Sequence, residues 1–295
     1  MSTPQVDPRI DEALVRRLLT RQFPAWAELP LEAVSSAGTD NAIFRLGDEL
    51  AVRMPKRASA APQAEREHRW LPMFAPRLPL TIPAPLAAGR PDENYPWSWS
   101  ILPWMPGADA ASAPISDLFQ AARDLGAFLQ ALRRIEADGG PVAGRANSGR
   151  GVPLALLDKR VRADVAALSG EIDGAAILDA WEEALAAPVL SSAGTWVHGD
   201  LHASNLLVRD GQIVAVLDFG LLGVGDPACD FFVAWSVLDA ESRDVFREAV
   251  GADEAAWQRG RGWAIFNAII ALAFYLGNNP TLCSMSRRTL TEVLR

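Results

Sequence analysis

Asp200 and Asn205 stand five residues apart in a polar loop, and Asp218 lies eighteen residues beyond Asp200, at the end of an apolar strand. Between them, two short apolar runs, Leu206 to Val208 and Ile213 to Leu217, flank Asp210-Gly211, a dipeptide that favours a two-residue hairpin. A hairpin folding back there brings Asp200, Asn205 and Asp218 into one cleft. Hard oxygen donors of this kind suit Mg²⁺, which is commonly held by one or two carboxylates together with substrate phosphates. Asn205 offers an oxygen without adding charge and Asp218 supplies the charged ligand. Asp200 is then left to orient a hydroxyl and accept its proton.

The wording around these residues is specific: His198-Gly199-Asp200-Leu201-His202-Ala203-Ser204-Asn205, then Asp218-Phe219-Gly220, then Gly225-Asp226-Pro227. Protein kinases carry H-R-D-x-x-x-x-N followed by D-F-G. With Gly in place of Arg, the pattern resembles the aminoglycoside phosphotransferase family, which shares the kinase fold but phosphorylates small molecules. The resemblance implies that Asp200 is the catalytic Asp, that Asn205 and Asp218 bind the metal ions, and that His198 supports the catalytic loop. It also implies that Asp226 and Asp230 hold the local backbone in shape. The chain has no A-P-E after D-F-G, so a platform for a peptide substrate is absent and a small acceptor is favoured.

The elements that must position these groups follow from pattern. A helical pattern around Ile10 to Leu19 precedes two short apolar segments, Ala42 to Leu46 and Leu50 to Met54, which read as a β-hairpin closed by Pro55. A charged helix with an apolar side covers Gln63 to Phe74, its length limited by Pro72. A strand at about Trp97 to Leu102 leads into a Pro-rich connector ending at Gly107. Beyond it lie helical patterns at Ile115 to Ile135, Leu154 to Leu168 and Ala175 to Leu185, a polar Gly-rich loop from Gly139 to Gly151, and a helical final stretch. The pattern gives an α+β chain, a small sheet-rich part followed by a larger helical one, and the resemblance implies a bilobal, protein-kinase-like architecture with a small N-terminal antiparallel-sheet lobe and a larger, mainly helical C-terminal lobe. On this expectation residues 1–103 form the nucleotide-binding lobe and residues 104–295 the catalytic and acceptor-binding lobe.

In kinases a strand lysine in a V-A-I-K context pairs with phosphates and with a helix glutamate. Here the text is Leu50-Ala51-Val52-Arg53-Met54, so Arg53 occupies the lysine position, and the chain contains only Lys56 and Lys159 as lysines. Arginine keeps the charge and can grip a phosphate through a bidentate fork, though it is not a neutral replacement for an ammonium. Glu67 is the expected acidic partner, with Glu65 as runner-up, because Trp70, Leu71 and Phe74 share its helix face. Ser36, Gly38 and Thr39 stand where the family's phosphate-covering loop would lie, although the single glycine matches neither common Gly-rich phosphate motif. The segment containing Leu102 and Trp104 would be the hinge whose main chain meets an adenine or guanine edge.

With 36 acidic against 28 basic residues, a net charge of -8, and no basic tract, the chain does not fit a protein that wraps nucleic acid. Two cysteines, Cys229 and Cys283, make no disulfide framework. The N-terminal text has no leader pattern, and Trp263 to Leu276 is too short to span a bilayer, so a cytoplasmic protein without a membrane partner is expected. The function implied is Mg²⁺-dependent transfer of the γ-phosphoryl group of ATP or GTP to a hydroxyl of a small molecule, an aminoglycoside or macrolide-like antibiotic included. Acidic Asp239, Glu241, Asp244 and Glu248 suit a cationic acceptor or are simply solvated. The alternative is a catalytically silent, nucleotide-binding interaction module.

Overall fold

The computed structural model describes residues 8–34 and 40–295, so Ser36, Gly38 and Thr39 of the expected phosphate loop lie outside the described residues. The chain divides into two units. The first comprises Met1–Pro76, Thr81–Pro106 and Asp218–Gly220, and the second comprises Arg77–Leu80, Gly107–Leu217 and Leu221–Arg295.

In the first unit, α1 (Glu12–Gln22) is started by the Asp11 side chain, which accepts from the Leu14 N–H. Its Leu14, Val15, Leu18 and Leu19 recur at helical spacing and are buried. They pack into a core with Phe44, Val52, Met54, Tyr95, Trp99 and Ile101. The sheet joins β1 (Leu31–Val34), β2 (Asn41–Leu46), β3 (Leu50–Pro55), β4 (Ala87–Gly89) and β5 (Trp99–Pro103) in the order β1-β2-β3-β5-β4, with every pairing antiparallel. The β2–β3 turn places Gly47 at φ +61, a conformation that favours glycine. Helix α2 (Ala61–Phe74) continues past Pro72, which sits in its last turn, where the missing N–H removes one helical bond without ending the helix.

The first unit also runs beyond Pro103. The Trp104 N–H donates to Glu49 O at 2.7 Å, extending the β3–β5 ladder, and this is why the segment to Pro106 groups with the sheet. Asp218–Gly220 groups with the first unit although the chain around it does not.

The second unit is mainly helical: α3 (Leu118–Arg134), α4 (Asp158–Ala167), α5 (Gly174–Ala186), α6 (Val233–Ser236), α7 (Ala240–Val250), α8 (Glu254–Tyr275) and α9 (Pro280–Val293). Helix α8 is buried on most sides and packs on α5, α9 and the turn at Pro227–Phe232. Short strands are set among the helices. A three-stranded sheet joins β6 (Ala108–Asp109), β8 (Leu206–Arg209) and β9 (Gln212–Val216) in the order β6-β8-β9, while β7 (Thr195–Val197) pairs with β10 (Gly223–Gly225). Asp210 and Gly211 both take positive φ in the β8–β9 turn, the conformation that a tight two-residue hairpin demands. Among the described residues, no helix is long and apolar enough to cross a membrane.

Candidate active site

In the second unit, the loop from His198 to Asn205 is fixed by its own side chains and by Asp230. Asp230 is buried, and its two carboxylate oxygens accept from the His198 N–H at 2.8 Å and the Gly199 N–H at 2.7 Å. Burial pushes its pKa up, against the pull of His198 and those two amides. The fully buried His198 ring accepts from the Asp200 N–H at Nδ1, 3.1 Å, and donates from Nε2 to Leu217 O, 2.9 Å. These partners put the ring proton on Nε2. Gly199 has φ +84, and a Cβ there would stand 2.7 Å from Leu221 O, so only glycine fits between His198 and Asp200.

Asp200 is half-buried, with its side chain 30 % exposed. Burial opposes its charge, but His202, Arg150 and His198 outweigh that cost and hold the carboxyl well below the usual carboxylate range. His202 Nδ1 accepts from the Ser204 N–H at 3.2 Å, which places the ring's Nε2 toward Asp200 Oδ2, 3.5 Å away. Asn205 Nδ2 donates to Asp200 O at 2.8 Å and approaches Asp200 Oδ2 at 3.3 Å. With the amide nitrogen so engaged, its oxygen is the atom left to meet a cation. A neutral amide oxygen beside an ionised carboxylate is a donor set that fits a hard divalent ion. Among the described residues, no group of three or more His, Cys, Asp and Glu side chains is placed to hold a metal ion.

In the first unit, Arg53 on β3 is buried, as is Glu67 on α2, and Arg53 Nη1 pairs with Glu67 Oε2. Arg53 Nη2 reaches Asp218 Oδ1 at 3.2 Å. Asn41, with its amide oxygen turned to the guanidinium as its surroundings require, accepts from Nε at 3.2 Å and Nη2 at 3.0 Å. Burial alone would lower the Arg53 pKa, but the Glu67 and Asp218 charges outweigh it and raise it. Burial pushes Glu67 upward, opposed by Arg53. Glu65 instead accepts from Ser98 Oγ at 3.2 Å. Asp218 takes φ +56, a strained conformation for a residue with a side chain, and its Oδ1 also accepts from the Gly220 N–H at 3.1 Å. Its side chain is 43 % exposed, and both of these contacts use Oδ1 rather than Oδ2. That oxygen is again a hard donor suited to Mg²⁺.

The N–H of Trp104 is committed to Glu49 O, so it is not a donor for a base edge. Its ring lies beneath the Arg45 guanidinium, 5.4 Å from centroid to Cζ. Leu102 is buried in β5 opposite Ala51. Asp226 accepts from the Ala228 N–H at 3.0 Å and pairs with buried Arg259 through Oδ2 at 2.6 Å and Oδ1 at 3.3 Å. Asp239 caps α7, and Glu241, Asp244 and Glu248 are exposed on that helix.

In the second unit, three residues beside the candidate groups carried no role in the sequence pattern: Arg150, His202 and Arg259. His202 stood inside the motif and had a signal there. Arg150 and Arg259 come from a Gly-rich loop and a helix whose spacing to Asp200 and Asp226 is invisible in one dimension.

A model of the phosphotransferase enzyme family matches residues 32–263, well over half of the chain. The chain belongs to this family. Three solved structures set its fold beside known ones. The GDP complex of wild-type aminoglycoside 2'-phosphotransferase-IIIa is 16% identical, with 97% of this chain and 99% of that chain covered and a TM-score of 0.72. Macrolide 2'-phosphotransferase MphH from Brachybacterium faecium is 21% identical, covering 94% and 97%, with a TM-score of 0.60. The streptomycin-ATP ternary complex of APH(2")-IIa is 19% identical, covering 96% and 97%, with a TM-score of 0.58. No curated protein sequence matches the chain. The fold is bilobal and kinase-like, with an N-terminal antiparallel sheet and a mainly helical C-terminal part.

Proposed function

We propose that this protein transfers the γ-phosphoryl group of ATP or GTP to a hydroxyl of a small molecule, and that antibiotics of the aminoglycoside and macrolide kinds are the first acceptors to try. The observation that carries this is the Asp200–Asn205 pairing, in which one short loop presents an ionised carboxylate beside a neutral amide oxygen. Family membership and the nucleotides and antibiotics bound by the similar structures support it.

In this reaction the acceptor oxygen bonds to the γ-phosphorus as the bond from phosphorus to the β-γ bridging oxygen breaks, and the acceptor's proton leaves. Asp200 accepts a hydrogen bond from the attacking hydroxyl and aims its lone pair. Because its pKa is held low, the carboxylate orients that hydroxyl early and takes the proton only as the oxygen loses basicity on bonding to phosphorus. Arg53, anchored by Glu67, offers fixed positive charge to phosphate oxygens without reorganisation when charge shifts. Asn205 and Asp218 would hold Mg²⁺, which when bound neutralises phosphate charge. His198, Asp230 and Asp226 keep the backbone in place.

The test incubates the protein with γ-labelled ATP or GTP, Mg²⁺ and a panel of hydroxylated acceptors, comparing wild type with Asp200→Ala. Transfer by wild type and a loss of roughly 10²–10⁴-fold in the variant is expected. Nucleotide binding without turnover by wild type would instead support the silent interaction module.

A further inference from the structure

We infer that Arg150 is a positioning residue for Asp200, supplying from a distant loop the guanidinium that the kinase wording places next to the catalytic Asp and that this chain replaces with Gly199. The inference rests on the phosphotransferase reading of the site and extends it to a residue outside the motif.

Arg150 is 7 % exposed. Its Nε donates to Gly199 O at 2.8 Å, the carbonyl of the peptide that joins Gly199 to Asp200. A Cβ on Gly199 would stand 3.1 Å from both Cβ and Cγ of Arg150, so the absence of a side chain at 199 is what lets the arginine stem lie against the loop. The guanidinium also lies over the Phe266 ring of α8, 5.4 Å from centroid to Cζ. Nη1 is buried with no hydrogen-bond partner among the described residues.

The arginine is also mounted rigidly. Asn147, 1 % exposed, donates from Nδ2 to Arg150 O at 2.9 Å and accepts from the Gly144 N–H at 2.9 Å. The Arg150 N–H donates to Asn147 O at 3.1 Å, and the next carbonyl, Gly151 O, accepts from the Asp226 N–H at 2.8 Å. A Cβ on Gly223 of β10 would stand 2.3 Å from Asn147 Nδ2, so the loop is seated closely on that strand. The Gly-rich segment that reads in sequence as a spacer is therefore a folded mount. It carries one long side chain from β10 to the peptide before Asp200. Asp230 holds the N–H side of Gly199 and Arg150 its C=O side, so the residue before the base is gripped at both ends.

An arginine that aims Asp200 should affect turnover more than donor binding, since misplacement of a reacting group by about 1 Å costs roughly 10²-fold in rate. The experiment measures kcat, donor KM and direct nucleotide affinity by tryptophan fluorescence for wild type, Arg150→Met and Arg150→Lys. Arg150→Met is expected to lower kcat by about 10–100-fold with donor affinity held within about threefold, and Arg150→Lys to recover part of the loss. Wild-type kcat in Arg150→Met, or a loss of nucleotide affinity matching the loss of kcat, overturns the inference. If Arg150→Met does not fold, Arg150→Lys decides alone: it keeps charge but lacks the Nε–H that Gly199 accepts, so wild-type kcat in that variant overturns the inference and a reduced kcat with unchanged donor affinity supports it. A wild type that turns over no acceptor overturns the phosphotransferase reading and this one with it, whereas an active wild type matched by its Arg150 variants overturns this one alone.

Discussion

Four aspartates of the site segment differ in their partners, and the partners set what each can do. Asp200 meets cationic and imidazole groups and keeps its charge at the surface of the loop. Asp230 is buried, and its carboxylate oxygens accept from two main-chain N–H groups. Asp218 shares one oxygen between Arg53 and the Gly220 N–H. Asp226 forms a bidentate pair with Arg259, both side chains 8 % exposed. Removing one member of such a pair leaves the other charge buried without compensation. Asp226→Ala is therefore expected to lower stability by about 3–5 kcal/mol, read as a reduced urea midpoint. Asp226→Ala combined with Arg259→Met should lose less than Asp226→Ala alone, since the orphaned guanidinium is gone. A double variant less stable than the single would contradict the pair's account. The aspartates were legible in sequence because short-range motif spacing carries them. Arg259 and Arg150 were not, because nothing local distinguishes an arginine that reaches across the fold from one that is solvated.

Helix α3, whose apolar residues recur at helical spacing, was legible to within a few residues at both ends, whereas α8, buried on most sides, shows little periodicity and was covered only by the expected helical final stretch. The shortest strands, β4, β6, β7 and β10, were not legible, since two or three residues cannot display a period and their pairing is imposed by neighbours. Helix starts carry a clearer local signature. Asp11, Asp117, Asp173, Asp239, Asp253 and Asn279 each accept from a main-chain N–H at the start of α1, α3, α5, α7, α8 and α9. At α7 the Asp239 carboxylate takes the Ser242 N–H at 3.0 Å and the Ser242 hydroxyl at 2.5 Å. Those bonds lower its pKa. Asp239→Ala should cost about 1 kcal/mol at neutral pH, the typical worth of an N-cap. The sign follows from a depressed folded-state pKa: the ionised cap contributes fully above the unfolded carboxyl pKa of about 3.9 and is lost as pH falls through the folded value. Urea titrations of both proteins at pH 7 and at about pH 3 should show the gap narrowing in acid. A gap that widens in acid would assign the cap's worth to something other than its charge.

Across the whole molecule, net charge and the proposed donor pull in opposite directions. The chain carries a net charge of -8 with only two lysines, and a nucleoside triphosphate is itself strongly anionic, so on the proposed reading the donor is drawn in by local cations against the general field. Arg53 is placed for this because Glu67, Asp218 and Asn41 have already oriented its fork. The cost of burying the guanidinium is met in the folded protein before any ligand arrives. Binding to the folded form alone at about 100 times Kd would add about 2.7 kcal/mol of stability. In a chain of this size that is an upward shift of roughly 4 °C in the melting midpoint. Wild type with ATP or GTP and Mg²⁺ is expected to show this shift. Arg53→Met, compared with its own ligand-free midpoint, should lose most of it, and Arg53→Lys should retain part, since the ammonium keeps charge but not the bidentate fork. The ligand-free midpoint of Arg53→Met will also fall, because Glu67 is left buried without its cation. An equal nucleotide-induced shift in wild type and Arg53→Met would show that the buried arginine serves the fold alone and that other cations take the phosphates.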